Sequence, residues 1–344
     1  MKAFVQELLT GHGPLVPFLA LLSISALIFL VASRLSRHAD TIADETGLGG
    51  LWIGTLLLAA STSLPEVLTD VNAALLNAPN IGVGDIFGAN MANMLILAVL
   101  DLVFARRRIL DHVHKDHAQF GLLGILLMAM AGMSIFAGGW GRIGHVGFDT
   151  IMIAVVYLGG VRIFYYAADV KPYLSGVPQA DGRSRSRLGQ ARIGFGFGAV
   201  GLLILTPLLV LSAEAVSLET GISSTFVGTL LVGLSTTLPE LSTTFSAIRL
   251  GAFDLAVGNL FGSVMFNMVI LLLMDVAYSR GPLLDFVARD HLLTILLGII
   301  LLTLGIVAIL SGGRQRALPL RLENLLIVAT YLLGMWLLYS LGTP

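Results

Sequence analysis

Two glutamates stand in long apolar stretches of the sequence, each directly after a proline. Glu66 ends the run Ser-Thr-Ser-Leu-Pro-Glu, and Glu240 ends the run Ser-Thr-Thr-Leu-Pro-Glu. Because proline has no amide hydrogen, Pro65 and Pro239 each leave a carbonyl group one turn earlier without its helical partner. Carboxylate, hydroxyl and carbonyl oxygens are the ligands that hard cations such as calcium take. The two runs therefore predict an oxygen-rich cation site at two helix breaks, whose two negative charges suit one divalent or two monovalent cations.

A second segment with further candidate ligands follows each run. Gly88 and Gly262 permit close helix packing or a local break, and the amide oxygens of Asn93 and Asn267 come five residues later. A purely structural interpretation stands beside each assignment, since hydroxyl groups often bond back to helix carbonyls and asparagines can join helices. Acidic residues within a membrane are rare and usually functional, which favours ligation for the two glutamates.

The two runs belong to an internal duplication. At an offset of 174 residues, the separation of Glu66 and Glu240, close to half of the positions from Glu45 to Leu102 match their counterparts without a gap. The matches include Glu, Pro, Asn, Asp and Gly rather than only apolar residues. The offset spans an odd number of predicted helices, so corresponding segments enter the membrane from opposite sides. The sequence thus predicts inverted repeats, an architecture of secondary transporters whose substrates bind near the membrane midplane.

Composition places these elements in a bilayer, because 56% of the residues are hydrophobic and only 12% are charged. The predicted fold is an all-α integral membrane protein with ten transmembrane helices, arranged as two inverted five-helix repeats around broken helices 2, 3, 7 and 8. We predict a first repeat at residues 1–169, a cytoplasmic linker at 170–192 and a second repeat at 193–344. The predicted spans are residues 14–36, 50–76, 81–104, 118–138, 147–168, 193–217, 222–249, 254–278, 290–311 and 322–341.

Basic residues in the loops predict the orientation. Arginine and lysine are concentrated after predicted helices 1, 3, 5 and 9, whereas the loops on the opposite side carry only Arg142, Arg280 and Arg289. We therefore expect the protein in the plasma (inner) membrane, with the linker in the cytoplasm and both termini outside.

Several other functions are disfavoured. The net charge of −1 and the lack of a long basic run argue against a nucleic-acid partner, and the absence of cysteine excludes thiolate metal sites and thiol nucleophiles. We predict no cofactor and no catalytic residue; the expected partners are cations as substrates and the lipid bilayer, and no protein partner can be inferred. The loop containing His112, His114 and His117 is either a regulatory divalent site or a solvated connection.

The two runs, each followed by a glycine-containing segment ending in asparagine, resemble the two alpha-repeats of the calcium/cation antiporter superfamily, and most closely those of its sodium/calcium exchanger branch. The resemblance covers both repeats and agrees with ten helices. It implies alternating access, with helices 1 and 6 sliding across a fixed core of helices 2, 3, 7 and 8. It also implies Glu66 and Glu240 as the central metal-binding carboxylates, with further cation ligands from the hydroxyl or carbonyl oxygens of Thr62, Ser63, Thr236, Thr237 and Ser263, the backbone carbonyls of Ala59 and Gly233, and the amides of Asn93 and Asn267.

Some residues depart from the family pattern. Ala89 stands where a coordinating serine is usual, and Asp85 stands where an asparagine is usual and adds a candidate ligand. Asp70 lies one turn beyond Glu66, on the same helical face. Asp70 and Asp85 either contribute to the site or reach lipid headgroups.

The leading hypothesis is a secondary antiporter that exchanges calcium, or a similar divalent cation, for sodium. The residues at positions 70, 85 and 89 keep a cation/proton antiporter as the alternative. A metal-binding membrane enzyme would need histidine ligands at depth, and no histidine lies within either core repeat. A scaffold with a vestigial site is the remaining option.

Overall fold

The fold consists almost entirely of helices. The computed structural model describes residues 2–11, 13–46, 59–107, 109–167, 182–311 and 322–342. Its helices are α1 (Lys2–Leu9), α2 (Leu15–Thr46), α3 (Leu64–Leu75), α4 (Pro79–Val103), α5 (His117–Ala137), α6 (Phe148–Ala167), α7 (Gly182–Thr220), α8 (Ser224–Thr236), α9 (Leu238–Leu250), α10 (Phe253–Ala277), α11 (His291–Leu310) and α12 (Leu322–Gly342). Short 3-10 turns occur at Ala105–Arg107, Ile109–Asp111 and Leu283–Asp285. Strands β1 (Arg142–Ile143) and β2 (Val146–Gly147) form an antiparallel hairpin between α5 and α6.

Among the described residues, 7 helices are long and apolar enough to cross a membrane: α2, α4, α5, α7, α10, α11 and α12. Helix α6 corresponds to the predicted span 147–168, and α8 with α9 corresponds to the predicted span 222–249. The predicted span 50–76 lies partly outside the described residues and continues into α3. The all-α membrane architecture predicted from the sequence is therefore confirmed.

The helix breaks differ in part from the prediction. Helices α3 and α9 each begin two residues before Glu66 and Glu240, with a proline in their first turn, as predicted. Helices α4 and α10 instead run without interruption, so the expected breaks in predicted helices 3 and 8 are wrong. Their glycines keep helical geometry, and Gly88 serves close packing instead.

The amino-terminal part of each half also differs from expectation. Residues 182–192, predicted as part of the linker, are helical and form the first turns of α7. Arginine, glutamine and alanine all favour helix, so this polar segment continues α7 instead of ending it. The short helix α1, which was not predicted, packs beside α7: Lys2 lies 3.1 Å from Glu214 and donates to the Leu76 carbonyl at 2.7 Å.

The inverted repeat is visible in matched contacts. Asp275 at the end of α10 accepts hydrogen bonds from the Leu283 amide at 2.8 Å and the Thr150 hydroxyl at 2.5 Å. Asp101 at the end of α4 likewise accepts from the Leu110 amide at 3.4 Å and, at 2.6 Å, from the Asn324 amide, the counterpart of Thr150. Each aspartate thus caps the turn that follows its own helix and holds a helix of the other repeat.

The apolar side chains form two separate cores. The larger core is built mainly from α4, α5, α10, α11 and α12. A smaller core joins α2 and α7, whose contact is the most extensive between any two elements, to residues near the α3–α4 turn such as Ala73 and Ile81. The pair of helices α2 and α7 therefore packs as a unit against the rest of the molecule.

Candidate cation-binding site

The two glutamates occupy equivalent places in the two repeats. Each is the third residue of its helix, after Leu64-Pro65 in α3 and Leu238-Pro239 in α9, and a single turn residue, Ser63 or Thr237, separates that helix from the preceding one. The side chain of Glu66 is 1% exposed and that of Glu240 is 0% exposed. A negative charge at the first turn of a helix is favoured by the helix dipole, so both carboxylates lie where the backbone tolerates charge best.

Hydroxyl groups from both repeats surround Glu240. Ser63 donates to Oε1 of Glu240 at 3.2 Å, and Ser263 from α10 donates to the same oxygen at 3.5 Å. Ser63 comes from the break of the first repeat, so the two breaks meet at this carboxylate. Glu66 is close enough to Glu240 and to Asp85 for their charges to interact, and the Thr236 hydroxyl lies beside it. The sequence-predicted residues from both breaks are thus brought together.

Asp85 is buried beside Glu66 and does not reach headgroups. Its side chain is 0% exposed, and Thr236 donates to its Oδ1 at 2.8 Å. The equivalent contact in the other repeat joins Thr62 to Oδ1 of Asn259 at 3.3 Å. Asn259 was missed in the sequence, although its position as the counterpart of Asp85 could have revealed it.

The two asparagines of the second segments are buried within the core helices. Asn267 donates to Oδ1 of Asn90 at 3.0 Å, so it connects α10 to α4. Asn93 is 1% exposed, and the described residues offer no hydrogen-bond partner to either atom of its amide. Asn90 was also missed in the sequence; an asparagine directly after Ala89, inside a buried helix, was the available signal.

The backbone carbonyls at the breaks already accept hydrogen bonds. Ala59 receives the Thr62 hydroxyl at 3.1 Å and the Ser63 amide at 2.9 Å. Gly233 receives the Thr237 hydroxyl at 2.5 Å and the Thr237 amide at 3.2 Å. Thr237 therefore shows the backward bonding that a structural role predicts, and its hydroxyl would serve a cation only through its oxygen lone pairs.

Close backbone contact between α4 and α8 positions the site. A side chain at Gly88 would meet the Thr229 carbonyl oxygen at 2.2 Å, and one at Gly228 would meet the Ile81 carbonyl oxygen at 2.4 Å. Val227–Val232 in α8 is a π-helical segment, which widens the turn just before the break. Because these helices touch through glycines, Thr236 of α8 can reach Asp85 of α4.

Several of the buried candidate oxygens have no hydrogen-bond donor among the residues that the structure describes. Within the described part of the chain, Oε2 of Glu66, Oε2 of Glu240, Oδ2 of Asp85 and Oδ1 of Asn267 have no partner. A buried carboxylate oxygen without a donor is costly unless a cation or proton compensates it. The arrangement therefore fits a dehydrated cation held by carboxylate, hydroxyl and amide oxygens.

Asp70 also lies at depth and not at the surface. It is 0% exposed, faces Asp85, and is close enough to Glu66 for their charges to interact. A headgroup contact is therefore wrong for both aspartates, because the helix turn after Glu66 points into the protein.

The histidine loop has a structural contact. The His114 amide donates to Oδ1 of Asp254 at 2.8 Å, and Nε2 of His117 lies 3.1 Å from the same oxygen at the start of α10. No group of three or more His, Asp or Glu side chains that could hold a metal ion occurs among the described residues, either in this loop or elsewhere. The histidine loop thus contacts the second repeat at the start of α10. A cation bound by Glu66 and Glu240 would need further ligands from hydroxyl, amide or carbonyl oxygens.

The same docking occurs at the opposite face. The Ala288 amide, the counterpart of the His114 amide, donates to Oδ1 of Asn80 at 2.7 Å, at the start of α4. The amino-terminal ends of α4 and α10 are thus each contacted by a loop of the other repeat.

Known proteins show both the sequence pattern and the fold. The family model described as sodium/calcium exchanger protein matches residues 16–165 and 191–340. The inner membrane protein YrbG of Escherichia coli (strain K12) is 27% identical over 306 residues, covering 83% of this chain and 91% of that protein. The sodium/calcium exchanger MaX1 of Methanosarcina acetivorans is 29% identical over 285 residues, covering 73% of this chain and 81% of that protein.

Solved structures share the fold at low sequence identity. The H+/Ca2+ exchanger CAX has a TM-score of 0.67 at 15% identity, covering 97% of this chain and 86% of that chain. The sodium-calcium exchanger NCX_Mj has a TM-score of 0.58 at 19% identity, covering 92% of this chain and 98% of that chain. These similarities confirm the architecture of inverted helical repeats in the membrane.

Proposed function

Because the chain belongs to the sodium/calcium exchanger protein family, we propose that it is a secondary antiporter that exchanges calcium, or a similar divalent cation, for sodium by alternating access. The family consists of transporters, so the chain is not an enzyme. The cations are its substrates.

One observation supports this function above the others: Glu66 and Glu240 are buried at equivalent helix breaks, and each has a carboxylate oxygen without a donor among the residues described. Their two charges neutralise one calcium ion or two sodium ions. A site of this charge is unstable when it is empty, because two carboxylates close together in a low dielectric repel each other. Release of one cation is therefore coupled to binding of another, which is the property that exchange requires.

We assign the remaining ligands on the same basis. Asp85, Thr236, Ser63 and Ser263 supply oxygens at the two carboxylates, and Thr62 supports them from the first break. Asn93 and Asn267 add amide oxygens. The Thr237 hydroxyl already donates one hydrogen bond, and the Ala59 and Gly233 carbonyls already accept at least two each, so these three contribute through oxygens that are also hydrogen-bonded within the protein.

The packing supports a sliding movement of α2 and α7. These two helices pack mainly on each other in the smaller apolar core, which also contacts α3, α4 and α8, whereas the site residues lie on α3, α4, α8, α9 and α10. The Ser25 hydroxyl of α2 lies 2.8 Å from the Ser235 hydroxyl at the second break, so α2 contacts the site region directly. Movement of the pair would expose the carboxylates first to one side of the membrane and then to the other.

A cation/proton antiporter is the second candidate. Asp70 and Asp85 add two carboxyl groups that repeat two lacks, and Ala89 removes a hydroxyl that Ser263 provides on the other side. Carboxyl groups take up protons readily when they are buried.

We further propose the plasma (inner) membrane as the location, with the linker in the cytoplasm and both termini outside, from the distribution of basic residues. The division into repeats at 1–169 and 193–344 belongs to the same proposal, with the linker shortened because α7 begins at Gly182.

The test is uptake of radiolabelled calcium into proteoliposomes under separately imposed sodium, potassium and proton gradients. We expect uptake driven by the sodium gradient, and its loss in Glu66→Gln and Glu240→Gln. The control is Glu7→Gln, which changes an exposed glutamate on α1. Uptake driven only by protons would select the second candidate, and no uptake under any gradient would reject both.

A further inference from the structure

The two repeats differ in charge at one matched pair of residues. In repeat two, Asn259 donates to the Thr244 hydroxyl at 3.4 Å, which forms a neutral contact between α10 and α9. The counterparts of these residues in repeat one are Asp85 and Asp70, on α4 and α3. The same place in the fold thus holds an amide and a hydroxyl on one side of the symmetry axis and two carboxyl groups on the other.

The acidic pair is fully enclosed. Asp70 and Asp85 are both 0% exposed, and the groups that act electrostatically on Asp70 are the acids Asp85 and Glu66. In the portion of the chain that the structure describes, neither oxygen of Asp70 nor Oδ2 of Asp85 receives a hydrogen bond from any other group, and the two carboxyl groups lie beside each other. Two adjacent carboxylates in such surroundings need either a cation between them or a proton on one of them.

The surroundings also supply a neutral oxygen. The Thr236 hydroxyl, which donates to Oδ1 of Asp85, keeps lone pairs on its oxygen that a cation can use. Carboxylate and hydroxyl oxygens together form the ligand set of a hard metal cation. Asp70 extends this set by one helical turn beyond Glu66 on α3.

We propose that Asp70 and Asp85, with the Thr236 hydroxyl, form an additional subsite for a hard metal cation beside the Glu66–Glu240 pair. The subsite has no counterpart in repeat two, so the chain binds one more cation than its two symmetric glutamates account for. Asp70 is a ligand of this subsite, and Asp85 is shared between it and the central site. The inference deepens the proposed function, on which it depends.

The test counts bound ions on the purified full-length protein, with radiolabelled calcium and radiolabelled sodium measured separately at saturation. We expect Asp70→Asn and Asp70→Thr to bind one fewer ion of one kind per chain than the wild type. The second variant introduces the residue that repeat two carries at this position, so it is compatible with the fold of its counterpart. The matched control is Thr244→Val in repeat two, for which we expect an unchanged count.

A variant with Asp70 intact provides an independent measurement. Glu240→Gln alters only the central pair, so it should keep residual binding that is lost when Asp70→Asn is added. Unchanged counts for both ions in both Asp70 variants would overturn the subsite. Unchanged counts together with altered proton release on ion binding would also overturn it, because the pair would then hold a proton.

These outcomes are separable from failure of the proposed function. Ion counting needs no transport, whereas the exchanger assignment fails only if the wild type carries no calcium in proteoliposomes. A wild type that transports calcium while its Asp70 variants keep the full ion count would reject the subsite alone.

Discussion

Thr236 donates a 2.8 Å hydrogen bond to Asp85, which joins the helix break of repeat two to the core helix of repeat one. The equivalent bond in the other direction, from Thr62 to Asn259, is longer at 3.3 Å and ends on a neutral amide. The symmetric contacts therefore differ in strength.

Thr236→Val should weaken cation binding more than Thr62→Val does. A hydrogen bond to a charged group contributes about 1.5–3 kcal/mol and one between neutral groups about 0.5–1.5 kcal/mol. Each hydroxyl also contacts the buried glutamate of the opposite repeat, so the two variants differ by the bonds to Asp85 and Asn259. With tenfold in affinity for each 1.4 kcal/mol, we expect Thr236→Val to lose about 5- to 10-fold more affinity than Thr62→Val. Calcium binding measured by calorimetry checks the order, and equal losses would show that the charge on Asp85 does not matter.

Gly88→Ala should destabilise the protein. The new methyl group would lie 2.2 Å from the Thr229 carbonyl oxygen, so α4 and α8 would have to separate. Overpacking of this kind costs about 1–3 kcal/mol. Thermal unfolding in detergent provides the measurement. Gly159→Ala is the control, because a side chain there meets nothing within 4 Å; a similar loss in both variants would contradict the close contact.

Asp254→Asn should be tolerated better than Asp254→Ala. The carboxyl oxygen accepts the His114 amide, and at the equivalent place Asn80 accepts the Ala288 amide with a side-chain amide oxygen. Asparagine keeps this acceptor, whereas alanine removes a hydrogen bond to a carboxylate, which contributes about 1.5–3 kcal/mol.

The measurement is again thermal unfolding, with Asn80→Asp as the reverse exchange. If Asp254→Asn lost as much stability as Asp254→Ala, the ion pair with His117, rather than the amide contact, would hold the loop.

Ser25→Ala should change transport rates and leave cation affinity nearly unchanged. The Ser25 and Ser235 hydroxyls are 2.8 Å apart across the interface of α2 with α8, so the contact stabilises this arrangement of the sliding pair. Its loss, worth about 0.5–1.5 kcal/mol, would shift the balance of conformations by about 2- to 10-fold.

Exchange rates measured in both directions across the membrane test this expectation. The control is Ser23→Ala, whose exposed hydroxyl bonds only to the Leu19 carbonyl of its own helix. Equal behaviour of the two variants would argue against a role of the Ser25 contact.

The sequence predicted the features that depend on local pattern. Proline after small hydroxylated residues located the two breaks, and the offset between Glu66 and Glu240 located the repeat. Apolar runs located the membrane spans. A segment in lipid must form its backbone hydrogen bonds within itself, as a helix does, and it must be long enough to cross the bilayer. The site residues at the breaks followed from the same signals.

Contacts between repeats were beyond the sequence. Asn259 and Asn90 were missed because their importance depends on which residues face them: Thr62 in one case and Asn267 in the other. The sequence around Gly88 was compatible either with a break in α4 or with close helix packing. The Thr229 backbone lies so close to Gly88 that the structure shows close packing. The start of α7 at Gly182 was missed because its arginine-rich first turns have a composition that is also typical of loops.

The crossed contacts between the repeats bear on how the protein is made. The hydrogen bonds that Asn80 accepts from the Ala288 amide and that Asp85 accepts from the Thr236 hydroxyl both come from the second half of the chain. The ribosome delivers the first half to the membrane before either partner has been synthesised. The first half therefore lacks these contacts when it enters the bilayer. The packing between the repeats is completed only after most of the chain has been translated.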